Sequence, residues 1–315
     1  MNKVEKKLDV LCLGAAVVDI PLRPVSREVF DIESYPVDNI AMAVGGDAMN
    51  ESTIISRLGC KTGLMAAIGD DAAGAFILRS CDEDNIDTEG VTIDPNLNTS
   101  INIGLVTEDG ERTFITVQGA ECHFKKEWFE QIDMDNYENI YIAGYQVCGK
   151  SGEIISQWLK TVENVEEKHI FFAPGPMITA IESETMENLF ALKPILHINE
   201  AEAKGYTQQE NVEEAVRALY EKSGNLVFVT LGAEGTLFYD GKEMRRVASV
   251  KTNVVDTVGA GDSHIGAIIA GMSKGMKVED AVLLANRTAA AIVGTSGPVM
   301  DLEEFQKISE EWENE

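Results

Sequence analysis

Residues 254–267 place a carboxylate directly behind a glycine-rich turn, near the end of the chain. The segment reads VVDTVGAGDSHIGA, in which Asp262 follows Gly259, Ala260 and Gly261 and precedes a stretch with helical spacing. Glycines let a backbone approach a ligand closely, and the first amides of a helix, together with its macrodipole, attract an anion. The segment therefore predicts a phosphate site, beside which Asp262 either takes part in chemistry or only caps the helix.

A second candidate phosphate site occupies residues 144–151. The sequence GYQVCGKS fits the P-loop pattern G-x-x-x-x-G-K-[ST] and follows an apolar strand. A P-loop enzyme also needs an acidic residue at the end of a later strand to hold Mg²⁺. The only candidate, Asp240, stands before Gly241 in what reads as a hairpin turn. We therefore favour residues 254–267 and keep a P-loop NTPase that uses Gly144 to Ser151 as a less favoured alternative.

The elements that must position these residues alternate between strands and helices. Apolar runs predict strands in LDVLCLGAAVV, KTGLMAAIG, NIYIAG, HIFFAP, ILHIN and NLVFVTLG, and each is followed by a helical or turn segment. This alternation is typical of a mostly parallel central sheet with helices on both faces. We predict a single α/β domain over residues 1–315, with a solvated acidic helix at residues 301–315.

Two stretches interrupt this alternation, residues 20–43 and residues 99–120. The first contains three prolines, and the second reads as two extended runs around Asp109 and Gly110, which is a hairpin signal. We predict that both stretches form a small β-sheet lid. Its alternating apolar residues would leave one face in need of cover.

The charge of the chain limits its partners. It has 53 acidic and 26 basic residues, a formal net charge of −27, so nucleic acid and anionic lipid are poor partners. Its five cysteines form no CxxC pair, which favours reduced thiols in a cytoplasmic protein. The apolar run at residues 10–18 lies between Asp9 and Asp19, which favours a buried strand over a signal peptide. The sequence contains no apolar stretch long enough for a transmembrane helix.

Six segments, in chain order, resemble the signatures of the ribokinase-like (PfkB) carbohydrate kinases. They are residues 43–59 (AVGGDAMNESTIISRLG), 66–74 (AAIGDDAAG), 199–202 (NEAE), 229–238 (VTLGAEGTLF), 256–262 (DTVGAGD) and 285–297 (ANRTAAAIVGTSG). The resemblance covers nearly the whole chain. It implies a ribokinase-like fold and an ATP- and Mg²⁺-dependent kinase. The acceptor would be a hydroxymethyl group of a small sugar or sugar derivative.

The resemblance also implies roles for the glycine-rich segment. Gly259, Ala260 and Gly261 would form an anion hole for the phosphoryl group in transfer. Asp262 would act as general base, taking the proton from a substrate hydroxyl as its oxygen attacks the γ-phosphorus of ATP. Preorganised amides help most in the transition state, when charge spreads over the phosphoryl oxygens. The repulsion between Asp262 and phosphate is tolerable because the substrate hydroxyl lies between them.

Further site residues follow from the matching segments, by resemblance alone. The residues implied for the sugar are Asp19, Gly45, Gly46 and Asn50. Those implied for ATP are Asn199, Thr230, Gly232, Gly235 and Asn286, together with Gly259 and Gly261. Asn199 and Glu202 would position Mg²⁺, largely through water, although Glu202 could instead be a charge on a helix face. The backbone near Asp256 and Gly297 would form a site for a monovalent cation such as K⁺.

Several positions depart from the usual pattern of the family. Asp47 stands where ribokinases often have Lys, and Val17 stands where they have a polar sugar contact. His264 replaces a common Phe, and residues 173–177 lack the Asp and Arg of many sugar-acid and fructose kinases. These departures leave the reaction in place but make plain ribose a less favoured substrate.

Two alternatives therefore remain beside a sugar kinase, in addition to the less favoured P-loop NTPase. A nucleoside kinase of the same fold would need an apolar wall for the base, which lid aromatics such as Phe30, Tyr35 or Phe114 could supply. A non-catalytic sugar-binding protein is less favoured, because Asp262 and its glycine turn are intact.

The resemblance further suggests a homodimer joined through the lids, because the lid of a second subunit often covers the apolar face in this family. His123, His169 and His197 have no metal-ligand spacing, and we interpret them as structural or surface residues.

Overall fold

The computed structural model of the protein describes residues 7–108, 112–295, 297 and 299–313. Within that part of the chain the strands form three sheets. In chain order the strands are β1 (Leu8–Leu13), β2 (Val17–Arg23), β3 (Asn39–Ile40), β4 (Ala43–Gly45), β5 (Thr62–Met65), β6 (Ala67–Gly69), β7 (Thr92–Asp94), β8 (Ile101–Val106), β9 (Arg112–Val117), β10 (Tyr137–Ala143), β11 (His169–Ala173), β12 (Ile195–Asn199), β13 (Val227–Thr230), β14 (Thr236–Tyr239) and β15 (Met244–Val247).

The α-helices cover the largest sheet on both sides. In chain order they are α1 (Asp47–Arg57), α2 (Ala72–Glu83), α3 (Gly149–Leu159), α4 (Ser183–Ala191), α5 (Glu200–Thr207), α6 (Val212–Ser223), α7 (Ala260–Ser273), α8 (Val278–Val293) and α9 (Leu302–Glu313). Apolar side chains of α1, α2, α7, α8 and α9 share one hydrophobic core. Those of α3, α4, α5 and α6 share the other.

The central sheet has eight strands in the order β15-β14-β13-β12-β11-β10-β1-β5. The strands from β5 to β13 run parallel, and β14 and β15 are antiparallel at one edge. Phe171 and Phe172 of β11 are consecutive, so they point to opposite faces, and both are fully buried. Strands that are apolar on both faces are what a helix-covered parallel sheet requires. The predicted α/β fold is confirmed.

The prediction of one strand over LDVLCLGAAVV was wrong, because this run divides between two sheets. β1 ends at Leu13 in the central sheet, and β2 begins at Val17 in a separate sheet. The break packs on distant parts of the chain. A Cβ on Gly14 would lie 2.6 Å from the Cβ of Ala143, and the Ala15 N–H donates to Asp47 Oδ1 at 3.0 Å. KTGLMAAIG is likewise divided, into β5 and β6.

The predicted small sheet is present as β3-β2-β8-β9, with β4 paired to β2. Its first part spans residues 17–45, slightly more than the predicted 20–43, and β8 and β9 lie within the predicted residues 99–120. The expected turn at Asp109 and Gly110 lies outside the described residues. This group of strands, β2, β3, β4, β8 and β9, is called the small sheet below.

The small sheet has one polar and one apolar face, since side chains alternate along a strand and paired residues share a face. Asp19, Asn102 and Phe114 lie on one face. The opposite face carries the apolar residues Ile20, Leu22, Ile40, Ile101, Ile103, Leu105, Ile115 and Val117. On this apolar face Ile40, Ile115 and Val117 are 64%, 49% and 51% exposed.

The C-terminal helix α9 is acidic, as predicted, but it is not simply solvated. Its Phe305 is 1% exposed and belongs to the core, and Ile308 packs against the same core. Glu303 and Glu304 are exposed. None of the helices in the described residues has the length and apolar character needed to cross a membrane.

Candidate active site

The glycine-rich turn leads into helix α7, as predicted. Gly259, the residue before the helix, has a φ of 74°, a left-handed conformation that glycine adopts readily. The first helical hydrogen bond runs from the Ser263 N–H to the Gly259 carbonyl at 2.8 Å. The amides of Ala260, Gly261 and Asp262 therefore stand at the open end of the helix. A Cβ on Gly261 would meet no atom within 4 Å, so there is room for an anion at this end of α7.

Helix α1 brings Asn50 to the start of α7. The Asn50 Nδ2 donates to Asp262 Oδ2 at 2.7 Å, although the two residues are 212 positions apart. Gly46 precedes α1 with a φ of 91°, and a Cβ there would lie 2.6 Å from the Ala15 carbonyl oxygen. Gly46 thus lets the first turn of α1 pack closely against Ala15. Asn50 in turn fixes the orientation of the Asp262 carboxylate.

Asp19 reaches the same region from the small sheet. Its Oδ1 accepts a hydrogen bond from Asn102 Nδ2 at 2.9 Å. A Cβ on Gly45 would lie 2.0 Å from Asp19 Oδ2, so a larger residue at position 45 would displace this carboxylate. The pKa of Asp262 is raised, mainly by desolvation and also by the Asp19 charge, while the Asn50 hydrogen bond lowers it. The structure therefore brings together Asp19, Asn50 and Asp262, which the sequence analysis had assigned to one site.

Two further carboxyl groups lie on α1, of which the sequence analysis missed Glu51. Asp47 Oδ1 accepts the N–H groups of Ala15 and Ala48 at 3.0 and 2.9 Å. Glu51 is 1% exposed and accepts a hydrogen bond from the Tyr141 hydroxyl at 2.8 Å. Desolvation, together with nearby carboxylates, raises the pKa of Asp47 to about 7 and that of Glu51 well above its ordinary value. Their spacing of four residues, which puts both on one helix face, was the available signal.

Tyr145 is a second residue that the sequence analysis did not assign to the site. It follows β10 and is 55% exposed. Its pKa is raised by desolvation and then by the charges of Asp47, Asp262 and Glu202. The phenol therefore lies near the carboxyl-rich region, in the turn that follows β10.

The structure does not support the P-loop alternative for residues 144–151. Lys150 forms an exposed ion pair within its own helix at 2.7 Å. The Gly149 N–H donates to both carboxylate oxygens of Glu182 at 3.1 and 3.0 Å. The Ser151 hydroxyl donates to a backbone carbonyl at 3.0 Å. The groups that hold phosphate and metal in a P-loop are engaged with protein oxygens here.

Asn199 and Glu202 form a capping box at the start of α5. Asn199 Oδ1 accepts the Glu202 N–H at 2.8 Å, and Glu202 Oε2 accepts the Asn199 N–H at 3.2 Å. Part of the N-x-x-E signal is thus structural. Desolvation raises the pKa of Glu202. The described residues contain no cluster of three His, Cys, Asp or Glu side chains suited to a metal ion. One or two carboxylates still fit Mg²⁺, which in kinases is bound mainly by water and phosphate.

Thr230, Gly232 and Gly235 lie at the end of β13 and in the turn after it. Gly232 and Gly235 have positive φ angles of 58° and 90°. A Cβ on Gly235 would lie 2.0 Å from the Val247 carbonyl oxygen, whereas one on Gly232 would meet no atom within 4 Å. Gly235 is therefore required where the turn packs on β15, and Gly232 borders open space, as a ligand-lining residue does.

Asn286 faces the protein interior. Its Nδ2 donates to the carbonyls of Val247 and Ala248 at 3.3 and 3.0 Å, and its Oδ1 accepts from Thr236 Oγ1 at 2.8 Å. The side chain is 6% exposed, so its polar atoms serve the protein, and its expected place near the adenine stays a prediction. His197 is buried, in agreement with the structural role predicted for it.

Asp256 orders the loop before the glycine turn. Its Oδ1 accepts the Val258 N–H at 2.9 Å, and its Oδ2 accepts the Gly297 N–H at 3.3 Å. The guanidinium of Arg23, at the end of β2, lies 3.7 Å from the same Oδ2. The backbone near Asp256 and Gly297, where a monovalent cation was expected, thus lies close to one positive charge, and the cation stays a prediction.

Known proteins resemble this chain in both sequence and structure. A model of the pfkB family of carbohydrate kinases matches residues 7–304. The Escherichia coli protein described as the uncharacterized sugar kinase YegV is 28% identical over 305 residues, which cover 94% of this chain and 92% of that protein. The crystal structure of adenosine kinase from Sinorhizobium meliloti superposes with a TM-score of 0.81 at 23% identity, over 97% and 99% of the two chains. An Escherichia coli structure assigned as a ribokinase II, in complex with ATP and Mg²⁺, gives a TM-score of 0.80 at 21% identity, over 96% and 99%.

The family match extends over Asp262, the glycine turn before it, the central sheet and the small sheet. It therefore covers every element that contributes to the candidate site. The structural neighbours share the ribokinase-like fold over nearly all of their length. The chain belongs to the pfkB family of carbohydrate kinases and is a phosphotransferase with an alcohol group as acceptor.

Proposed function

We propose that the protein transfers the γ-phosphoryl group of ATP to a hydroxymethyl group of a small sugar or sugar derivative, with Asp262 as general base. The observation that carries this proposal is the Asp262 carboxylate, held by Asn50 at the open end of α7. The substrate hydroxyl gives its proton to Asp262, and its oxygen forms a bond to the γ-phosphorus. The bond from that phosphorus to the β–γ bridging oxygen breaks, and ADP leaves.

The turn from Gly259 to Gly261 would act as the anion hole. The amides at the start of α7 are fixed by the helix, so they need no rearrangement when charge develops on the phosphoryl oxygens. The Ala260 N–H lies 3.4 Å from the Thr257 carbonyl, a long hydrogen bond that a phosphoryl oxygen can replace. Asp262 tolerates the nearby phosphate because the acceptor hydroxyl lies between them.

We place ATP between the turn after β13 and the start of α7, where Gly232 and Gly261 border open space. The similar Escherichia coli structure with ATP and Mg²⁺ supports this use of the fold. Asn199 and Glu202 are the residues that would hold Mg²⁺, largely through water. The bound ion would neutralise charge on the phosphates. A monovalent cation such as K⁺ would add to the Arg23 charge at Asp256.

The acceptor site favours an uncharged polyol. Asp19 and Asp262 offer carboxylates to the acceptor, whereas desolvation raises the pKa of Asp47 to about 7 and that of the buried Glu51 well above its ordinary value, which favours the neutral forms of those two groups. Carboxylates accept hydrogen bonds from sugar hydroxyls and repel a sugar acid or a sugar phosphate. A nucleoside is the second candidate, because Tyr145 offers an exposed aromatic ring and the adenosine kinase of Sinorhizobium meliloti shares the fold.

A screen of acceptors for ADP release by the purified protein tests this assignment. We expect neutral pentoses, hexoses or their deoxy and amino derivatives to exceed sugar acids and sugar phosphates by at least about tenfold in kcat/KM, because like charges in an enclosed site cost several kcal/mol. A highest kcat/KM with a nucleoside would select the second candidate. A highest value with an anionic sugar would contradict the proposed pocket, and no acceptor-dependent release in the whole panel would contradict the proposed function.

We also propose that the small sheet is a lid that joins two copies of the chain. Its apolar face leaves Ile40, Ile115 and Val117 about half exposed or more, beside partly buried Ile103 and Leu105. A second copy of the same face offers matching apolar residues around a two-fold axis. The opposite face carries Asp19 toward the proposed sugar site, so closure of the lid would exclude water from phosphoryl transfer.

A pair of lysine substitutions on one strand tests the dimer. Ile115→Lys puts a charge on the apolar face, whereas Thr116→Lys puts the same charge on the opposite face. We expect the wild type and the Thr116 variant to sediment as dimers and the Ile115 variant as a monomer. A monomeric wild type, or an Ile115 variant that stays dimeric, would show that the apolar face does not join two copies.

A further inference from the structure

Four buried polar side chains form a continuous hydrogen-bonded chain behind the start of α7. His197 Nε2 lies 2.9 Å from His264 Nδ1, and His264 Nε2 lies 2.7 Å from Thr236 Oγ1. Thr236 Oγ1 lies 2.8 Å from Asn286 Oδ1. All four residues are less than 10% exposed, with relative exposures from 0% for Thr236 to 6% for Asn286. None of them was predicted from sequence to act as part of such a group.

The Asn286 end of this hydrogen-bonded series determines which atom donates in each hydrogen bond. The amide of Asn286 faces two backbone carbonyls, which only accept, so its Nδ2 must donate and its Oδ1 must accept. The hydrogen bond to Asn286 Oδ1 then takes the Thr236 hydroxyl proton. His264 Nε2 lies 2.7 Å from the Thr236 oxygen and 3.1 Å from Asn286 Oδ1, and both oxygens can accept its N–H. His264 Nδ1 is therefore unprotonated and accepts from His197 Nε2–H.

Burial keeps this order intact at neutral pH. Desolvation lowers the pKa of His264 to about 4, so its ring is neutral. A neutral ring has one donor and one acceptor, and each of the two histidines uses its assigned nitrogen in the chain. A second proton on His264 would place a donor against the His197 donor and break the order.

The hydrogen-bonded series from His197 to Asn286 connects three parts of the proposed active site. His264 is the second residue after Asp262 on α7, and His197 is the second residue before Asn199 on β12. Thr236 follows Gly235 directly at the start of β14. Asn286 carries the chain to the backbone of residues 247–248, against which the turn at Gly235 packs. No water or charged group is needed to complete the connection.

We propose that His264 is a positioning residue, which holds the end of α7 that bears Asp262 in register with the nucleotide-side turn through Thr236 and Asn286. This proposal rests on the proposed roles of Asp262 and of the turn at Gly232 and Gly235. Phosphoryl transfer requires the donor phosphate and the attacking oxygen to be aligned, and small displacements lower its rate strongly. Within this hydrogen-bonded series, the bond from His264 to Thr236 is the one that would keep the donor phosphate and the attacking oxygen aligned.

Three substitutions separate this role from a general contribution to the core. His264→Phe keeps a ring but removes both hydrogen bonds, whereas the amide nitrogen of Gln in His264→Gln can still donate to Thr236. His197→Phe removes a buried hydrogen bond of the same kind but leaves the link from α7 to β14 intact. We expect kcat/KM for ATP to fall about fivefold to tenfold in His264→Phe because, of the two hydrogen bonds lost, only the one to Thr236 links α7 to β14, and we expect the acceptor KM to be unchanged. The other two variants should stay within about twofold of wild type, although His197→Phe lowers Tm.

Imidazole nitrogen NMR of the wild-type protein provides a readout that does not depend on catalysis. We expect the Nε2 of His264 to carry the proton and its Nδ1 to be unprotonated. A proton on Nδ1 of His264 would overturn the deduced order. Equal losses of kcat/KM for ATP in His264→Phe and His197→Phe would overturn the positioning role, since both would then report only core stability. Failure of the general-base proposal would instead appear in variants of Asp262, with the NMR result unchanged.

Discussion

Asp262→Asn lowers turnover by about 10²–10⁴-fold, the usual contribution of general base catalysis, while ATP binding stays close to that of the wild type. The amide cannot take up the acceptor proton at neutral pH. Its oxygen can still accept the hydrogen bond that Asn50 gives to Asp262 Oδ2, so the start of α7 should keep its geometry. Steady-state kcat and calorimetric binding of ATP together measure the expected result.

Asp47→Asn is the matched control, because it makes the same change in a carboxyl group of the same pocket. Asp47 accepts two backbone N–H groups, which an amide oxygen can also accept. Its substitution should therefore lower turnover by less than about tenfold. Near-normal turnover of Asp262→Asn would mean that Asp262 is not the general base.

The pH profile offers a second measurement of the same role. Desolvation raises the pKa of Asp262, so its basic form is lost at a higher pH than for an exposed Asp. In the wild type kcat/KM should fall as the pH drops through this raised pKa, since only the carboxylate can accept the proton. The residual activity of Asp262→Asn should lack that dependence.

Gly261→Val abolishes measurable ATP turnover, because it places a side chain where the backbone must approach the phosphate. A Cβ at Gly261 would meet no protein atom within 4 Å, so the substitution fills ligand space and leaves the protein packing unchanged. We expect a loss of ATP affinity of at least about 10²-fold, as phosphate contacts at a helix start are removed together. Calorimetry with ATP and a thermal melt distinguish loss of binding from loss of folding.

Gly205→Val and Lys150→Ala complete this experiment. Gly205 also lies in a helix, and a Cβ there also meets no atom within 4 Å, so its substitution controls for the introduction of Val into an exposed helical position. Lys150 is exposed and paired with Glu153, so its removal should leave ATP affinity nearly unchanged. A Lys150 variant that loses ATP binding, with a Gly261 variant that retains it, would reverse the assignment of the phosphate site.

The sequence by itself determined the architecture and the reaction class. Apolar strands that alternate with helical segments specify a helix-covered parallel sheet, since each pattern is local and repeated along the chain. The turn from Gly259 to Asp262 was also readable, because glycine at positive φ and a helix start depend on adjacent residues. Asn199 and Glu202 could be recognised as an N-x-x-E pair because they are close together in the sequence, and the structure shows that they form a capping box.

Only the tertiary structure decided how these local features meet. The break after Leu13 depends on the packing of Gly14 against Ala143, and the orientation of Asp262 depends on Asn50 of a distant helix. The P-loop pattern failed for the same reason, since the partners of its amide and hydroxyl groups come from other segments.

The burial of polar side chains could not be predicted from the sequence either. Glu51 reads as an ordinary helix charge, and His264 reads as a substitution for Phe, yet both side chains are buried and hydrogen-bonded. A pKa or a proton position depends on the dielectric and on the partners around a group, and those are supplied by elements far away in the chain. The sequence therefore names several residues of the candidate site, while the buried partners, the charge states and the alignment come from the packing of α1, α7 and β14.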